Sequence, residues 1–305
     1  MRIVVNGQQA FGKAVLEKLL ALGEEVIAVY GPADKEGRPP DPLVAFAREK
    51  GLPLHQPKSF KEPAEWDAFR ALRPELCVMA YVTLFVPSQF LNIPAKGTIQ
   101  FHPSLLPRHR GPSSINWPII QGETKTGLTV FWPDDGLDTG PILLQKETPI
   151  GPDDTLGSVY FDRLFPMGVD AMIEAVELVR DGKAPRIVQD ETQATYESWC
   201  RADNVGIDWS KPAKAIHDLI RGSDPQPGAW TIFKGGRLQL FASKQASSAG
   251  RAAPGEVIAI DDSGMTVAAA DGAVKVGRVR AERGEKVVAA KFAADSGLAK
   301  GAKFG

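Results

Sequence analysis

Short runs of β-branched and aliphatic residues alternate with stretches of helical spacing over the first 150 residues, and this alternation restricts the fold more than any other feature. The apolar run within residues 2–5 ends at Asn6-Gly7; Phe11, Val15, Leu16, Leu19 and Leu20 then fall on one helix face, and Gly23 supplies the stop signal. Further apolar runs occupy Glu25 to Tyr30, Leu52 to His55, Leu76 to Val82 and Thr98 to His102, with a helical pattern at Pro42 to Lys50 between them. Strands separated by helices must cross over between pairings, so the pattern predicts an α/β domain with a doubly wound, mostly parallel sheet. The runs at Gly127 to Trp132 and Ile142 to Thr148 flank a polar, Gly-containing loop and extend that sheet.

With 305 residues, two domains are expected rather than one. Two helical stretches separated by Pro166 follow the sheet; the second carries Val169, Met172, Ile173, Val176 and Val179 on one face and ends at Gly182. Periodicity weakens from Lys183 to Val205, the mark of a connector. After a helical segment at Pro212 to Arg221 come short apolar runs cut by Gly and Pro: Trp230 to Phe233, Leu238 to Ala242, Gly255 to Ile260, Met265 to Ala269 and Val274 to Arg278. That texture predicts a small β-barrel.

Charge excludes some functions. The chain carries 36 Lys plus Arg against 37 Asp plus Glu, so nothing marks it as a whole as a nucleic-acid binder. From Arg201 onward, however, 16 basic residues face 11 acidic ones, a weak hint of an anionic partner for the second domain. Cys77 and Cys200 have no zinc-ligand spacing and fit a reducing compartment. The longest unbroken apolar run, Leu76 to Val82, is far too short to span a bilayer, and Met1 leads directly into an apolar run without a leader pattern. A soluble, cytoplasmic protein without a membrane partner is expected.

Three segments are chemically suggestive. The turn Gly7-Gln8-Gln9-Ala10-Phe11-Gly12 opens a helix as a dinucleotide site would, but the three-glycine spacing is absent and Val29-Tyr30-Gly31 lacks a ribose-holding acid. A structural turn is the better reading of it. In Gln100 to Trp117, QFHPSLLPRHRGPSSINW, strand alternation puts Thr98, Gln100 and His102 on one side, and Pro103 ends the strand. His102 therefore stands at the carboxyl end of a central strand, the ligand side of such sheets, where it is either a structural histidine or a catalytic one. The loop Asp134-Asp135-Gly136-Leu137-Asp138-Thr139-Gly140 is either a turn capped by its own carboxylates or an acid–base element facing His102, and it lacks the ligand order of a calcium loop. His55, His109 and His217 show no sequence partner and read as surface or structural residues. Motifs of serine hydrolases, P-loop kinases and zinc enzymes are missing.

The run His102-Pro103-Ser104-Leu105-Leu106-Pro107, then Arg110-Gly111, then Gly136-Leu137-Asp138-Thr139-Gly140, resembles the formyltransferase family that uses 10-formyltetrahydrofolate. The longer stretches HPSLLPRHRG, INW, FWxDDGLDTG and LLQKE are most similar to the hydrolase domain of the 10-formyltetrahydrofolate dehydrogenases and next to the methionyl-tRNA formyltransferases. Similarity continues through Ile207 to Gly222 and Pro227 to Trp230. The resemblance implies a Rossmann-like folate-binding domain over residues 1–203 and an OB-like barrel over residues 206–305. It implies catalytic roles for His102 and Asp138, places Gln100 where the amine-transferring members carry an Asn, and implies a folate pocket formed by Tyr81, Leu84, Phe85 and Pro87 with Asp134, Asp135 and Gly136. The co-substrate would be 10-formyltetrahydrofolate, with no metal. The resemblance does not extend to the carrier and aldehyde dehydrogenase domains of those dehydrogenases, so NADP-dependent oxidation is not expected.

The acceptor expected is water or a small amine. In the methionyl-tRNA branch, the loop resembling Gly31 to Asp41 is basic and grips the tRNA; here Lys35 and Arg38 face Asp34, Glu36 and Asp41, and a net negative loop repels phosphate. The basic second domain argues the other way, so tRNA remains the second acceptor. The rivals outside this class are an NAD(P) oxidoreductase and a non-catalytic RNA-binding module.

Overall fold

The computed structural model describes residues 1–246 and 250–305. Seven strands form the first sheet: β1 (Arg2–Gly7), β2 (Glu25–Tyr30), β3 (Leu54–His55), β4 (Leu76–Ala80), β5 (Thr98–His102), β6 (Lys125–Phe131) and β7 (Ile142–Pro149), in the order β3-β2-β1-β4-β5-β6-β7. Strands β1 to β5 pair in parallel, and β6 runs antiparallel to β5. This is the mostly parallel α/β sheet expected.

Strand alternation divides β1 between two cores. Ile3 and Val5 face the helices Gln9–Ala21 and Phe165–Arg180 through Phe11, Leu16 and Met172, whereas Val4 faces Tyr30, Phe69 and Phe90 on the other side. Each such buried large side chain contributes about 2–3 kcal/mol. The helix Pro63–Ala71, which brings Phe69 to this core, has too weak an apolar stripe to be seen in the sequence. A short helix at Leu156–Ser158 and a π-helical turn at Val159–Leu164 lead into the helix Phe165–Arg180, and Pro166 sits in the first turn of the latter, at the junction expected.

The turn after β1 is structural. A Cβ on Gly7 would lie 2.3 Å from the Ala80 carbonyl oxygen, so only glycine allows β1 and β4 to approach there. Both carboxylate oxygens of Asp41 accept from the Gln9 N–H at 2.9 Å, and Oδ1 also accepts from the Leu43 N–H. A carboxylate thus stands where a dinucleotide's phosphates would have to bind.

The second sheet is antiparallel and has six strands: β8 (Trp230–Phe233), β9 (Gly236–Ala246), β10 (Val257–Asp261), β11 (Gly264–Ala268), β12 (Ala273–Ala281) and β13 (Val287–Val288). Its order is β10-β11-β12-β9-β8, with β13 against β12. The last residues join its two edges: Gly305 exchanges hydrogen bonds with Ile232 of β8, while Ala302 accepts from Val257 and Phe304 donates to Gly255 beside β10. Among the described residues this segment bridges both edge strands and closes the sheet into a barrel. The helix Ala289–Ser296, unexpected from the sequence, buries Ala289 and Ala293 in this domain's core.

By contacts, one compact unit comprises Met1–Gly111, Gly127–Glu147 and Arg163–Tyr196, and the other Pro112–Thr126, Thr148–Asp162 and Glu197–Gly305. Two short segments of the first 203 residues, together with the stretch from Glu197, thus group with the barrel. Among the described residues, no helix is long and apolar enough to cross a membrane.

Candidate active site

Strand β5 positions the first functional group. Gln100 pairs with Met79 of β4 and Phe131 of β6, and His102 pairs with Thr129, so the strand delivers both side chains at the carboxyl end of the parallel strands. His102 is buried, and its Nε2 lies 2.9 Å from the His109 carbonyl oxygen. A carbonyl can only accept, so Nε2 carries the proton of the neutral ring, and Nδ1 is left to exchange one.

Nδ1 faces Asp138, whose Oδ2 lies 3.6 Å away. This separation exceeds a hydrogen bond, as is common before a substrate tightens a catalytic pair. Asp138 is as buried as His102, and its Oδ2 accepts from the Gly111 N–H at 2.8 Å. Its φ of 58° is left-handed, unusual for a residue with a side chain. Tyr81 at φ 65° and His109 at φ 56° share that conformation. Three such residues in the segments that build one site represent backbone strain of about 1–3 kcal/mol each, held by the surrounding fold.

A cleft of about 220 Å³ opens beside Asp138 and Gln100. It is lined by Met79, Leu91 and Phe131, by Val82, Leu84 and Phe85 from the segment after β4, and by Pro133, Asp134, Gly136 and Leu137 from the loop after β6. Leu84 and Phe85 are unusually exposed for large apolar residues, as is Leu137. The acidic wall is internally braced: Asp134 Oδ1 accepts from the Gly136 N–H at 3.0 Å and from the Thr139 hydroxyl at 2.6 Å. Asp135 Oδ1 accepts from the Ser88 N–H at 3.3 Å, tying this loop to the segment that follows β4.

Of the residues named from the sequence, Gln100, Leu84, Phe85, Asp134, Gly136 and Asp138 line the cleft. Tyr81 instead turns the chain out of β4, Pro87 precedes the helix Ser88–Leu91, and Asp135 makes the link to Ser88. The other histidines take structural places. His55 stacks on Tyr30 at 4.6 Å, and His217 is buried between Ser243 and the Pro152 carbonyl. His109 belongs to the site through its backbone: its carbonyl meets His102, and its N–H donates to Thr195 Oγ1 at 2.8 Å. Periodicity gave no sign of this, nor of the contribution of residues 189–196.

Burial pushes the Cys77 thiol up to about 12, which keeps it out of chemistry near neutral pH. Among the described residues no group of His, Cys, Asp or Glu is placed to hold a metal ion.

Comparison with known proteins supplies the lineage. The profile of the formyl transferase family matches residues 1–176, and that of the formyl transferase C-terminal domain matches residues 201–297. The cytosolic 10-formyltetrahydrofolate dehydrogenase of Xenopus tropicalis is 44% identical over 248 residues, 80% of this chain but 27% of that protein, so the chain spans about a quarter of its length. The methionyl-tRNA formyltransferase of Trichlorobacter lovleyi is 37% identical over 305 residues, 98% of this chain and 96% of that one. Solved structures share the fold: HypX from Aquifex aeolicus in complex with tetrahydrofolic acid (TM-score 0.70, 20% identity, 97% of this chain and 47% of that one) and WlaRD, a sugar 3N-formyl transferase (TM-score 0.71, 18% identity, 90% and 97%). With both domains matched in order and a full-length relative well above 30% identity, this chain belongs to the formyl transferase family.

Proposed function

We propose that the protein moves the formyl group of 10-formyltetrahydrofolate to water or a small amine and releases tetrahydrofolate. The observation that carries this reading is the buried His102–Asp138 pair beside a cleft with apolar walls and a carboxylate rim. Such a cleft suits a flat heterocycle: Leu84 and Phe85 cover its faces, and carboxylates such as Asp134 accept from its N–H groups. Structures of HypX with tetrahydrofolic acid and of WlaRD with 5-N-formyl-THF add support from the same fold.

In this mechanism the acceptor attacks the formyl carbon while Asp138 orients it and takes its proton; the bond from that carbon to the folate nitrogen then breaks, and the proton passes to this nitrogen as tetrahydrofolate leaves. His102, protonated at Nδ1, donates to the developing oxyanion, and the Gln100 amide donates from the next inward-facing position of β5. No metal takes part. Residues 1–203 hold the folate, and residues 206–305 form the accessory barrel.

The acidic segment from Gly31 to Asp41 supports water or a small amine as acceptor, with Asp41 and Asp34 engaged in contacts of their own to Gln9 and Arg48. The second reading is a methionyl-tRNA formyltransferase, favoured by the relative that matches this chain almost end to end. The test is to incubate the protein with 10-formyltetrahydrofolate, with and without candidate acceptors, and to follow tetrahydrofolate release. Absence of release under every condition rejects both readings.

A further inference from the structure

The connector between the two family-matched segments reaches into the site through one side chain. Gln189 is buried, and its amide has every polar position engaged: Nε2 donates to the Asp138 carbonyl at 2.9 Å and the Gly140 carbonyl at 2.7 Å, while Oε1 accepts from Arg110 Nη2 at 2.8 Å and Nε at 3.2 Å. Carbonyls only accept and a guanidinium only donates, so the amide has a single workable orientation. Arg110, itself buried, also grips Glu191 through Nη1 at 2.9 Å and Nη2 at 2.6 Å. The Glu191 contact holds the Arg110 guanidinium above its ordinary range and leaves it permanently charged.

These contacts converge on the same loop. Gly111, the residue after Arg110, donates its N–H to the Asp138 carboxylate, while Arg110 itself holds the Gln189 amide that grips the Asp138 carbonyl. The carbonyl of His109, one residue before Arg110, fixes the other end of the His102 ring. The connector is anchored on both sides of Gln189, by paired hydrogen bonds between Ile187 and Ile142 and by the Arg110 N–H on the Thr195 carbonyl. Asp138 has a disfavoured left-handed backbone, and this brace grips its carbonyl.

We infer that Gln189, oriented by Arg110, is a positioning residue that sets the geometry of Asp138 against His102; this deepens the formyl-transfer reading and rests on it. A side chain that merely stabilised the fold would leave the pair's geometry unchanged. Loss of the brace frees the Asp138 carboxylate from the Gly111 N–H and carries it away from the imidazole.

The test uses the full chain with Gln189→Met, similar in length but unable to hydrogen-bond, and Arg110→Lys, which keeps the charge but not the fork. With 10-formyltetrahydrofolate as donor, kcat is expected to fall about tenfold or more in each, since small displacements of a reacting group are costly. Folate affinity should stay within about twofold, so the loss falls on kcat and not on binding. The second readout needs no turnover: the NMR ring resonances of His102 should shift in Gln189→Met at constant pH, because its carboxylate neighbour has moved away. Folded variants with unchanged His102 ring resonances, or with wild-type kcat, overturn the inference. A wild-type protein that releases no tetrahydrofolate refutes formyl transfer instead, and the ring resonances still decide whether Gln189 positions the pair.

Discussion

Asp138 Oδ2 lies 3.6 Å from His102 Nδ1, although 36 positions separate the two residues in the chain and each belongs to a different loop or strand. The pair is buried, so each group meets the other before it meets solvent. His102→Ala and Asp138→Ala are each expected to lower turnover by about a hundredfold or more, the usual loss when a positioned acid–base or oxyanion group is removed. The double variant should lose far less than the product of the two, because the groups act together. Tetrahydrofolate release at saturating donor is the measurement, with circular dichroism as the control for folding; a folded single variant with near-normal turnover rejects the pair as the catalytic centre.

The cleft walls predict a separation of binding from chemistry. Leu84 and Phe85 present exposed apolar surface to the cleft and carry no group that could exchange a proton. Phe85→Ala should weaken folate binding by about 1–2 kcal/mol, the value of part of an aromatic face, with kcat within a few-fold of wild type. Fluorescence titration with tetrahydrofolate measures the first and steady-state kinetics the second. An unchanged affinity would move the folate elsewhere.

Acid should destabilise the barrel domain through His217. Burial holds this imidazole below its ordinary value, aided by Arg221, against the opposing pull of the Pro152 carbonyl, Asp218 and Asp153. A histidine with a depressed folded-state value is kept neutral by the fold, so the stability it supplies is fully present above the unfolded value of about 6.5 and is lost as pH falls through the lower, folded value. The urea midpoint should therefore decline as pH falls below about 6.5 in the wild type. In His217→Asn that portion of the decline should disappear even if the variant is less stable at pH 8; an identical slope in both proteins excludes His217 as the source.

The acceptor can be decided with methionyl-initiator-tRNA at moderate salt. The acidic segment from Gly31 to Asp41 adds nothing to the attraction of a phosphate backbone, so formylation of that tRNA should not exceed the rate with water or a small amine. Efficient tRNA formylation far above the water rate makes the tRNA enzyme the correct reading. In that case its salt dependence should report on the basic residues beyond Arg201.

Much of the first domain was legible because its signals are local. The apolar runs of β1, β2, β4 and β5 survive as strands since parallel strands buried on both faces must be apolar throughout, and the Pro after His102 fixed that residue at a strand end. Asp138 stood out as one of several carboxylates in a Gly-rich loop. Loop composition alone did not say which carboxylate faces His102; the resemblance singled out Asp138, and the β5–β6 register and the left-handed turn there bring it to the imidazole. Gln189 looked like part of an aperiodic connector, and only tertiary packing reveals that its amide spans Arg110 and the Asp138 carbonyl. Closure of the barrel by Ala302, Phe304 and Gly305 was equally invisible: those residues pair through backbone groups, which every residue type possesses, so side-chain pattern carries no record of the partner.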